Sequence, residues 1–109
     1  MQTLKTKTLV WHHFQRPSPA DLKWLERHFG FHGLVLEELT RPTARPRVDN
    51  FDGYLYLVLH FPIFETQERK THPREVDFII TKKELISVAY EPVPPLEDFF
   101  KKCSTEKSC

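Results

Sequence analysis

Apolar and polar residues recur along the chain with two periods, one typical of strands and the other of helices. Residues 9–14 are rich in β-branched and aromatic side chains and stop before Pro17, which predicts a first strand ending in a turn. Ser18 then offers an N-cap hydroxyl, and Pro19 has the backbone angle favoured in the first helical turn. A helical stripe follows, formed by Leu22, Leu25 and Phe29. We therefore predict a helix that ends at Gly30, a residue that readily adopts the left-handed C-cap conformation.

The middle of the chain combines a short helix, a basic segment and an apolar strand. The helical run 34–39 is predicted to stop before Pro42, because proline disfavours helical backbone in the residue that precedes it. Residues 41–50 contain two prolines and three arginines, which is typical of a stiff loop. Residues 54–59 are apolar on both alternating faces, so we predict that they form an internal strand of a sheet.

The last third of the chain predicts a hairpin followed by a helix. Polar residues 65–73 are expected to form a connection, and the apolar runs 76–80 and 85–90 flank a pair of lysines as two paired strands. Apolar residues then return at helical spacing, as Leu96, Phe99 and Phe100. The order β-α-α-β-β-β-α predicts an α+β fold with a mixed, mainly antiparallel sheet and packed helices. We expect one domain over residues 1–109.

Composition limits the classes of function. With 109 residues, 39% of them hydrophobic, the chain can bury one small core. Sixteen basic and fifteen acidic residues give a net charge of +1, which supplies no general attraction for nucleic acid. The longest apolar runs have five or six residues, whereas a membrane span needs about 20. The N-terminus lacks the features of a secretory signal, so we expect a cytoplasmic location. Cys103 and Cys109 are expected to lie in a polar C-terminal tail and to be reduced.

Motifs for catalysis or metal binding are sparse. The sequence has no Gly-rich phosphate loop, nucleophile elbow or H-E-x-x-H motif, so an enzyme with an unrecognised site ranks lowest. His28 and His32 have the spacing of one helix face, but Gly30 interrupts the helix and disfavours a preformed zinc site. The arginines of the basic segment are expected to pair with nearby acids rather than with nucleic acid. The arginines are Arg41, Arg45 and Arg47, and the acids are Glu37, Glu38 and Asp49.

Three segments of the chain resemble the CorA family of magnesium transporters. The first runs from Trp11 to Leu39 and opens with the pattern W-x-x-x-x-x-P-S. The second, residues 45–49, reads R-P-R-V-D and is similar to the family's R-P-[KR]-V-[DE] segment, in register with the apolar strand that follows. The third, residues 75–88, is similar to the family's hairpin, with an acid, an apolar strand, a T-K turn and a second apolar strand. The resemblance extends to about Phe100.

The resemblance implies a cytoplasmic regulatory and assembly domain of a transporter of Mg²⁺, Co²⁺ or another divalent cation. Members of the family are homopentamers whose cytoplasmic domains form a funnel. Their two C-terminal membrane helices carry a Gly-Met-Asn signature, which this sequence does not contain. The implied partners are the chain's own subunits and divalent cations, with membrane contact only through a C-terminal segment. No catalysis, no cofactor in the isolated domain and no nucleic acid are implied.

Glu38 is the metal ligand that the resemblance implies. In family members, an acid on the helix after a G-x-H-P-L turn helps bind a divalent ion between subunits and favours the closed state. Glu38 occupies the matching position, with glutamate in place of the usual aspartate and with Gly33 where proline is common. A hard cation such as Mg²⁺ binds weakly to one or two carboxylates, which suits a regulatory ligand. The acid that completes such a site is expected beyond Cys109.

Two other interpretations of these residues stay open. A zinc-efflux relative of the same superfamily shares the fold, and the residues present do not decide which ion is transported. A free-standing adaptor domain would instead dock on another protein through the apolar face of the last helix. That face is formed by Leu96, Phe99 and Phe100.

Overall fold

A six-stranded sheet lies at the centre of the computed structural model, which describes residues 1–42 and 45–105. The strands are β1 (Gln2–Lys5), β2 (Val10–Gln15), β3 (Arg47–Phe51), β4 (Tyr54–Glu65), β5 (Lys70–Ile80) and β6 (Glu84–Ala89). The helices are α1 (Pro19–Phe29), α2 (Gly33–Glu38) and α3 (Pro94–Thr105). The strand order is β1-β2-β6-β5-β4-β3, with β2 parallel to β6 and the other neighbours antiparallel. The predicted α+β fold with a mixed, mainly antiparallel sheet is confirmed.

Two strands that the sequence analysis did not predict lie at the edges of this sheet. Among the strands of residues 1–42 and 45–105, β1 pairs only with β2, and β3 pairs only with β4. Because β3 falls in the segment 41–50 that was predicted as a loop, that prediction is wrong from Arg47 onward. An edge strand is held by backbone hydrogen bonds on one side and buries little apolar surface. Val48, the only aliphatic side chain of β3, is 62% exposed, so this strand lacks the hydrophobic signal of a buried one.

The connection predicted over residues 65–73 is also wrong, because most of it is strand. β4 and β5 pair continuously up to a four-residue turn at 66–69. Beyond the segments of β4 and β5 that pair with β3 and β6, the two strands continue as a two-stranded arm. In this arm Pro62 faces Pro73. Proline donates no backbone hydrogen bond, and it is tolerated where the outer edge of a strand needs no partner. The prolines and polar residues of this arm are therefore the reason why the sequence pattern did not predict that both strands extend so far.

Each face of the sheet carries its own core. Helices α1 and α2 cover the larger core. Its fully buried side chains include Leu25, Val35, Leu39, Tyr56, Val58 and Ile79. A smaller cluster around Val76, Ala89 and Val93 lies on the other face, with Leu96 of α3 packed against it. The predicted internal strand over residues 54–59 and the predicted β5–β6 hairpin are both confirmed.

Helix α3 confirms the predicted last helix and extends it to Thr105. Its Phe100 ring packs edge-on against Trp11 of β2, with the ring centroids 4.8 Å apart. Cys103 is 8% exposed, which corrects the expectation that it lies in a polar tail. Cys109 and residues 43–44 of the predicted loop lie outside the described residues. No helix within the described parts of the chain has the length and apolar character needed to cross a membrane.

Helix α1 begins with two reciprocal cap hydrogen bonds at Ser18, the predicted N-cap. Ser18 Oγ accepts a bond from the Asp21 N–H at 3.1 Å, and Asp21 Oδ2 accepts one from the Ser18 N–H at 2.9 Å. Because alanine removes the first bond, we expect Ser18→Ala to lower the free energy of unfolding by about 1 kcal/mol. Thermal unfolding followed by circular dichroism should show Tm lower by roughly 4 °C.

Ser104→Ala is the matched control for this cap prediction. The Ser104 hydroxyl donates to the Lys101 carbonyl within α3 and caps no helix start. Its replacement should change the free energy of unfolding by less than about 0.5 kcal/mol. Equal losses in the two variants would contradict a specific contribution of the Ser18 cap.

Candidate divalent-cation site

Helix α2 ends at Glu38 and determines where this carboxylate lies. The helix begins after His32, whose Nδ1 accepts a hydrogen bond from the Leu34 N–H at 3.1 Å. The His32 N–H in turn donates to the Tyr54 hydroxyl at 3.1 Å, which ties the start of α2 to β4. Val35 is 1% exposed and packs in the larger core. The six-residue helix is therefore fixed by its cap and by one buried side chain.

The Glu38 carboxylate forms an ion pair with the Arg47 guanidinium of β3. Arg47 Nε also lies 3.0 Å from Asp49 Oδ2, and its guanidinium carbon lies 5.4 Å from the Tyr56 ring centroid. Arg47 thus bridges two carboxylates while resting over an aromatic ring. The predicted pairing of this arginine with Glu38 and Asp49 is confirmed.

The Glu38–Arg47 pair determines how a cation can reach the carboxylate. Both side chains are one-third exposed, so water has access to the pair. Glu38 and the neighbouring Glu37 also border a depression of about 420 Å³. A dehydrated cation would have to displace Arg47, whereas hydrated Mg²⁺ can contact a carboxylate through its own water. The arrangement suits weak, displaceable binding, and the assignment of Glu38 as a metal ligand stays a prediction.

A buried acid, Asp77, lies in the larger core beside the end of α2. Its Oδ2 accepts hydrogen bonds from the hydroxyls of Tyr56 at 2.5 Å and Tyr90 at 3.2 Å. Burial and, next, a side-chain hydrogen bond with Glu75 raise the pKa of Asp77 to about 8. Burial also raises the pKa of both tyrosines above the ordinary tyrosine value. Asp77 is therefore mostly protonated at neutral pH.

The acid network reaches the backbone of α2. The Tyr90 hydroxyl lies 3.5 Å from the carbonyl oxygen of Glu38, as well as close to Asp77. No local pattern in the sequence indicates this network, because its contacts join β4, β5 and the segment after β6. One feature of the sequence does point to a buried acid: Asp77 lies between Val76 and Phe78 in an apolar strand. Because side chains alternate between the two faces of a strand, Asp77 faces a core.

As predicted from Gly30, His28 and His32 do not share one helix face. Gly30 has a φ of 69° and ends α1, so His32 lies in the separate turn that caps α2. His28 instead contacts Glu84 of β6, with its Nε2 3.5 Å from Glu84 Oε2. The spacing of histidines along the sequence thus gave no guide to their neighbours in the fold.

The fold of this chain is that of the soluble domains of CorA and ZntB proteins. The soluble domain of CorA from Methanocaldococcus jannaschii gives a TM-score of 0.75 at 19% identity, over 92% of this chain and 39% of that chain. The cytoplasmic domain of ZntB from Vibrio parahaemolyticus gives a TM-score of 0.74 at 18% identity, over 95% of this chain and 42% of that chain. At these identities the likeness establishes the fold alone.

A family model described as "CorA-like Mg2+ transporter protein" matches residues 6–109, and the chain therefore belongs to this family. The proposed metal ion transporter YfjQ of Bacillus subtilis is 30% identical over 84 residues, which are 77% of this chain and 25% of that protein. The cobalt/magnesium transport protein CorA of Thermotoga maritima is 31% identical over 71 residues, which are 60% of this chain and 20% of that protein. The chain thus spans at most a quarter of the length of these two relatives.

Proposed function

We propose that this chain is the regulatory and assembly domain of a divalent-cation transport protein, on the cytoplasmic side of the membrane. The observation that carries the proposal is the family match over residues 6–109, together with a relative named as a cobalt/magnesium transport protein. The domain associates with copies of itself, as a pentamer in the complete protein, and contributes no catalysis. The pore lies outside residues 1–109.

Glu38 is the ligand through which the domain responds to the cytoplasmic Mg²⁺ concentration. Without the cation, Arg47 holds the Glu38 carboxylate within its own subunit. With the cation, hydrated Mg²⁺ takes this carboxylate together with an acid of a neighbouring subunit and joins the two. Because Mg²⁺ keeps several waters and binds one or two carboxylates weakly, occupancy follows its concentration. The cation then shifts the population between a joined and a released interface.

Glu38→Gln is expected to weaken the inhibition of transport by Mg²⁺ on the cytoplasmic side. The protein encoded by the complete gene is reconstituted in proteoliposomes, and Mg²⁺ flux is recorded as the Mg²⁺ concentration on that side is varied. Glutamine keeps the shape of the side chain and loses its charge, so the half-inhibitory concentration should rise about fivefold or more. Arg47→Gln should lower it, because the competitor for the Glu38 carboxylate is removed.

Glu37→Gln is the matched control, since Glu37 is the exposed neighbour of Glu38 on the same helix and undergoes the same change of charge. Mg²⁺ should inhibit transport by this variant with the same half-inhibitory concentration as in the wild type. An unchanged half-inhibitory concentration in Glu38→Gln, or an equal shift in Glu37→Gln, would refute the regulatory role of Glu38. Loss of regulation with intact flux would leave the assignment to a transporter standing.

A zinc-transporting relative is the second candidate, because the likeness to the ZntB cytoplasmic domain is as close as the likeness to the CorA soluble domain. The same proteoliposomes distinguish the two candidates when Zn²⁺ replaces Mg²⁺. Zn²⁺ flux without Mg²⁺ flux would favour the zinc-transporting relative. Mg²⁺ flux would favour the leading proposal.

A further inference from the structure

Two imidazole groups and one carboxylate converge where α1 passes over β2 and β6. His12 Nε2 lies 2.8 Å from Glu84 Oε2, and His28 Nε2 lies 3.5 Å from the same oxygen. One ligand atom from each of the three side chains lies within 4.8 Å of the other two. The three residues are far apart in sequence, so no spacing motif indicates the cluster. This cluster is called the His12–His28–Glu84 cluster below.

The fold holds each member of the cluster in place. Val10 of β2 is in register with Glu84 of β6, so His12, two residues further along β2, projects from the same face of the sheet as Glu84. His28 comes from the last turn of α1, which lies over this face. The Trp24 ring, one helical turn earlier, stacks on the His28 ring with centroids 4.6 Å apart and planes 9° apart. Trp24 also packs edge-on against the His12 ring at 5.1 Å.

Thr3 of β1 contacts the second ring nitrogen of His12 and so helps fix the orientation of the ring. Its Oγ1 lies 3.2 Å from His12 Nδ1, and the two residues are in register across the β1–β2 pair. In the pair with Glu84, His12 Nε2–H donates to the carboxylate and Nδ1 accepts from the Thr3 hydroxyl. If a metal ion replaced the Nε2 proton, the ring could carry its proton on Nδ1 and donate it to Thr3 Oγ1, with the Nε2 lone pair facing the ion. Histidines that bind metals commonly donate the other ring N–H in this way, which fixes the tautomer and orients the ring.

We propose that His12, His28 and Glu84 form a binding site for a divalent transition-metal ion such as Zn²⁺, with a fourth position open to water. Zn²⁺ binds imidazole nitrogen and carboxylate oxygen at about 2.0–2.2 Å, which places tetrahedral ligands roughly 3.3–3.5 Å apart. The separations of 2.8 and 3.5 Å lie on either side of this value, and all three ligand atoms lie within 4.8 Å of one another, so the side chains reach this geometry with shifts of roughly 1 Å. Two imidazoles favour a transition metal over Mg²⁺, which prefers oxygen ligands.

The cluster is buried on the side of the sheet and exposed to solvent at His28, so an ion can enter. His12 is 5% exposed, whereas the side chains of Glu84 and His28 are 25% and 45% exposed. His28 and Trp24 also border an open depression of about 490 Å³. The ion would bind within one subunit, beside α1, and would not require the acid of a neighbouring subunit. The proposal therefore stands independently of any role of Glu38.

The test titrates the purified 109-residue chain with Co²⁺ and, in competition, with Zn²⁺. The chain carries Cys109→Ser in every case, so that a terminal thiol cannot bind the metal. We expect one equivalent of Co²⁺ to bind, with a visible spectrum typical of a four- or five-coordinate ion, quenching of Trp24 fluorescence and displacement by Zn²⁺. Excess Mg²⁺ should not displace it. His28→Gln should weaken Co²⁺ binding by about tenfold or more.

His72→Gln is the matched control for His28→Gln. Its side chain is also 45% exposed, and its Nε2 lies 2.8 Å from Glu68 Oε2, so it offers an imidazole–carboxylate pair outside the cluster. This variant should bind Co²⁺ as the parent chain does, and thermal unfolding without metal checks that both variants are folded. Co²⁺ binding that survives His28→Gln, or that falls equally in His72→Gln, would overturn the proposal, as would a chain that binds no Co²⁺. Thr3→Val should weaken binding by a smaller factor, which tests the orientation of His12.

Discussion

Leu25→Ala is expected to lower the free energy of unfolding by about 2–5 kcal/mol. Leu25 has 0% exposure and is the buried residue of α1 within the larger core. Alanine leaves a cavity between this helix and the sheet, because the surrounding strands can relax only partly. A domain of this size is typically stable by only about 5–15 kcal/mol, so the loss is a large share of the total. Urea unfolding followed by circular dichroism should show a clearly lower midpoint with little change in slope.

Leu34→Ala removes the same atoms from an exposed position and is the control for Leu25→Ala. Leu34 lies in the first turn of α2 and is 62% exposed. Its truncation should change the free energy of unfolding of the isolated chain by less than about 0.5 kcal/mol. Similar losses in both variants would contradict the placement of α1 against the sheet.

Asp77→Asn is expected to stabilise the fold above neutral pH and to flatten the dependence of stability on pH. Burial, in the first place, raises the pKa of Asp77 from 3.8 to about 8, so the folded protein holds a proton that the unfolded chain releases. The stability contributed by this proton is complete below about pH 4 and is lost as the pH rises toward 8. Asparagine stays neutral throughout and can still accept hydrogen bonds from the hydroxyls of Tyr56 and Tyr90.

Urea unfolding at pH 5 and pH 8 measures this effect. Between the two values the wild-type chain should lose on the order of 3–4 kcal/mol more than Asp77→Asn. His13, whose pKa is lowered chiefly by burial, is present in both proteins, so the difference between them reports on Asp77. Asp98→Asn, at an exposed position of α3, should follow the wild type. An Asp77→Asn chain that loses stability as steeply as the wild type would show that Asp77 is ionised in the folded protein.

The elements that sequence patterns predicted are those whose local signals agree with their burial. Ser18, the apolar stripe of α1 and Gly30 are all visible in sequence, and the helix begins and ends where they predict. β5 and β6 likewise pair as the predicted hairpin, and β4 is the internal strand that its apolar residues indicated. β1 and β3 were not predicted, because both are edge strands. An edge strand is stabilised mainly by backbone hydrogen bonds, which do not require a pattern of apolar side chains.

The candidate sites depend on contacts that no local pattern determines. The resemblance pointed to Glu38, and the basic segment supplied its partner Arg47, since both are close in sequence. His12 meets Glu84 only because β2 and β6 pair in parallel, which brings together residues 72 positions apart. The protonated Asp77 depends in the same way on strand pairing, because Tyr56 reaches it across the β4–β5 pair. A pattern of residues shows which side chains are available, and the sheet order decides which of them meet.

Uptake of divalent cations tests most directly whether this chain is the regulatory and assembly domain of a transporter. The complete gene is expressed in cells that lack their own Mg²⁺ transporters, and Mg²⁺ uptake is measured after the protein has been detected in the membrane fraction. We expect uptake that depends on the protein and that falls as cytoplasmic Mg²⁺ rises. A protein that reaches the membrane and moves no divalent cation would contradict this function.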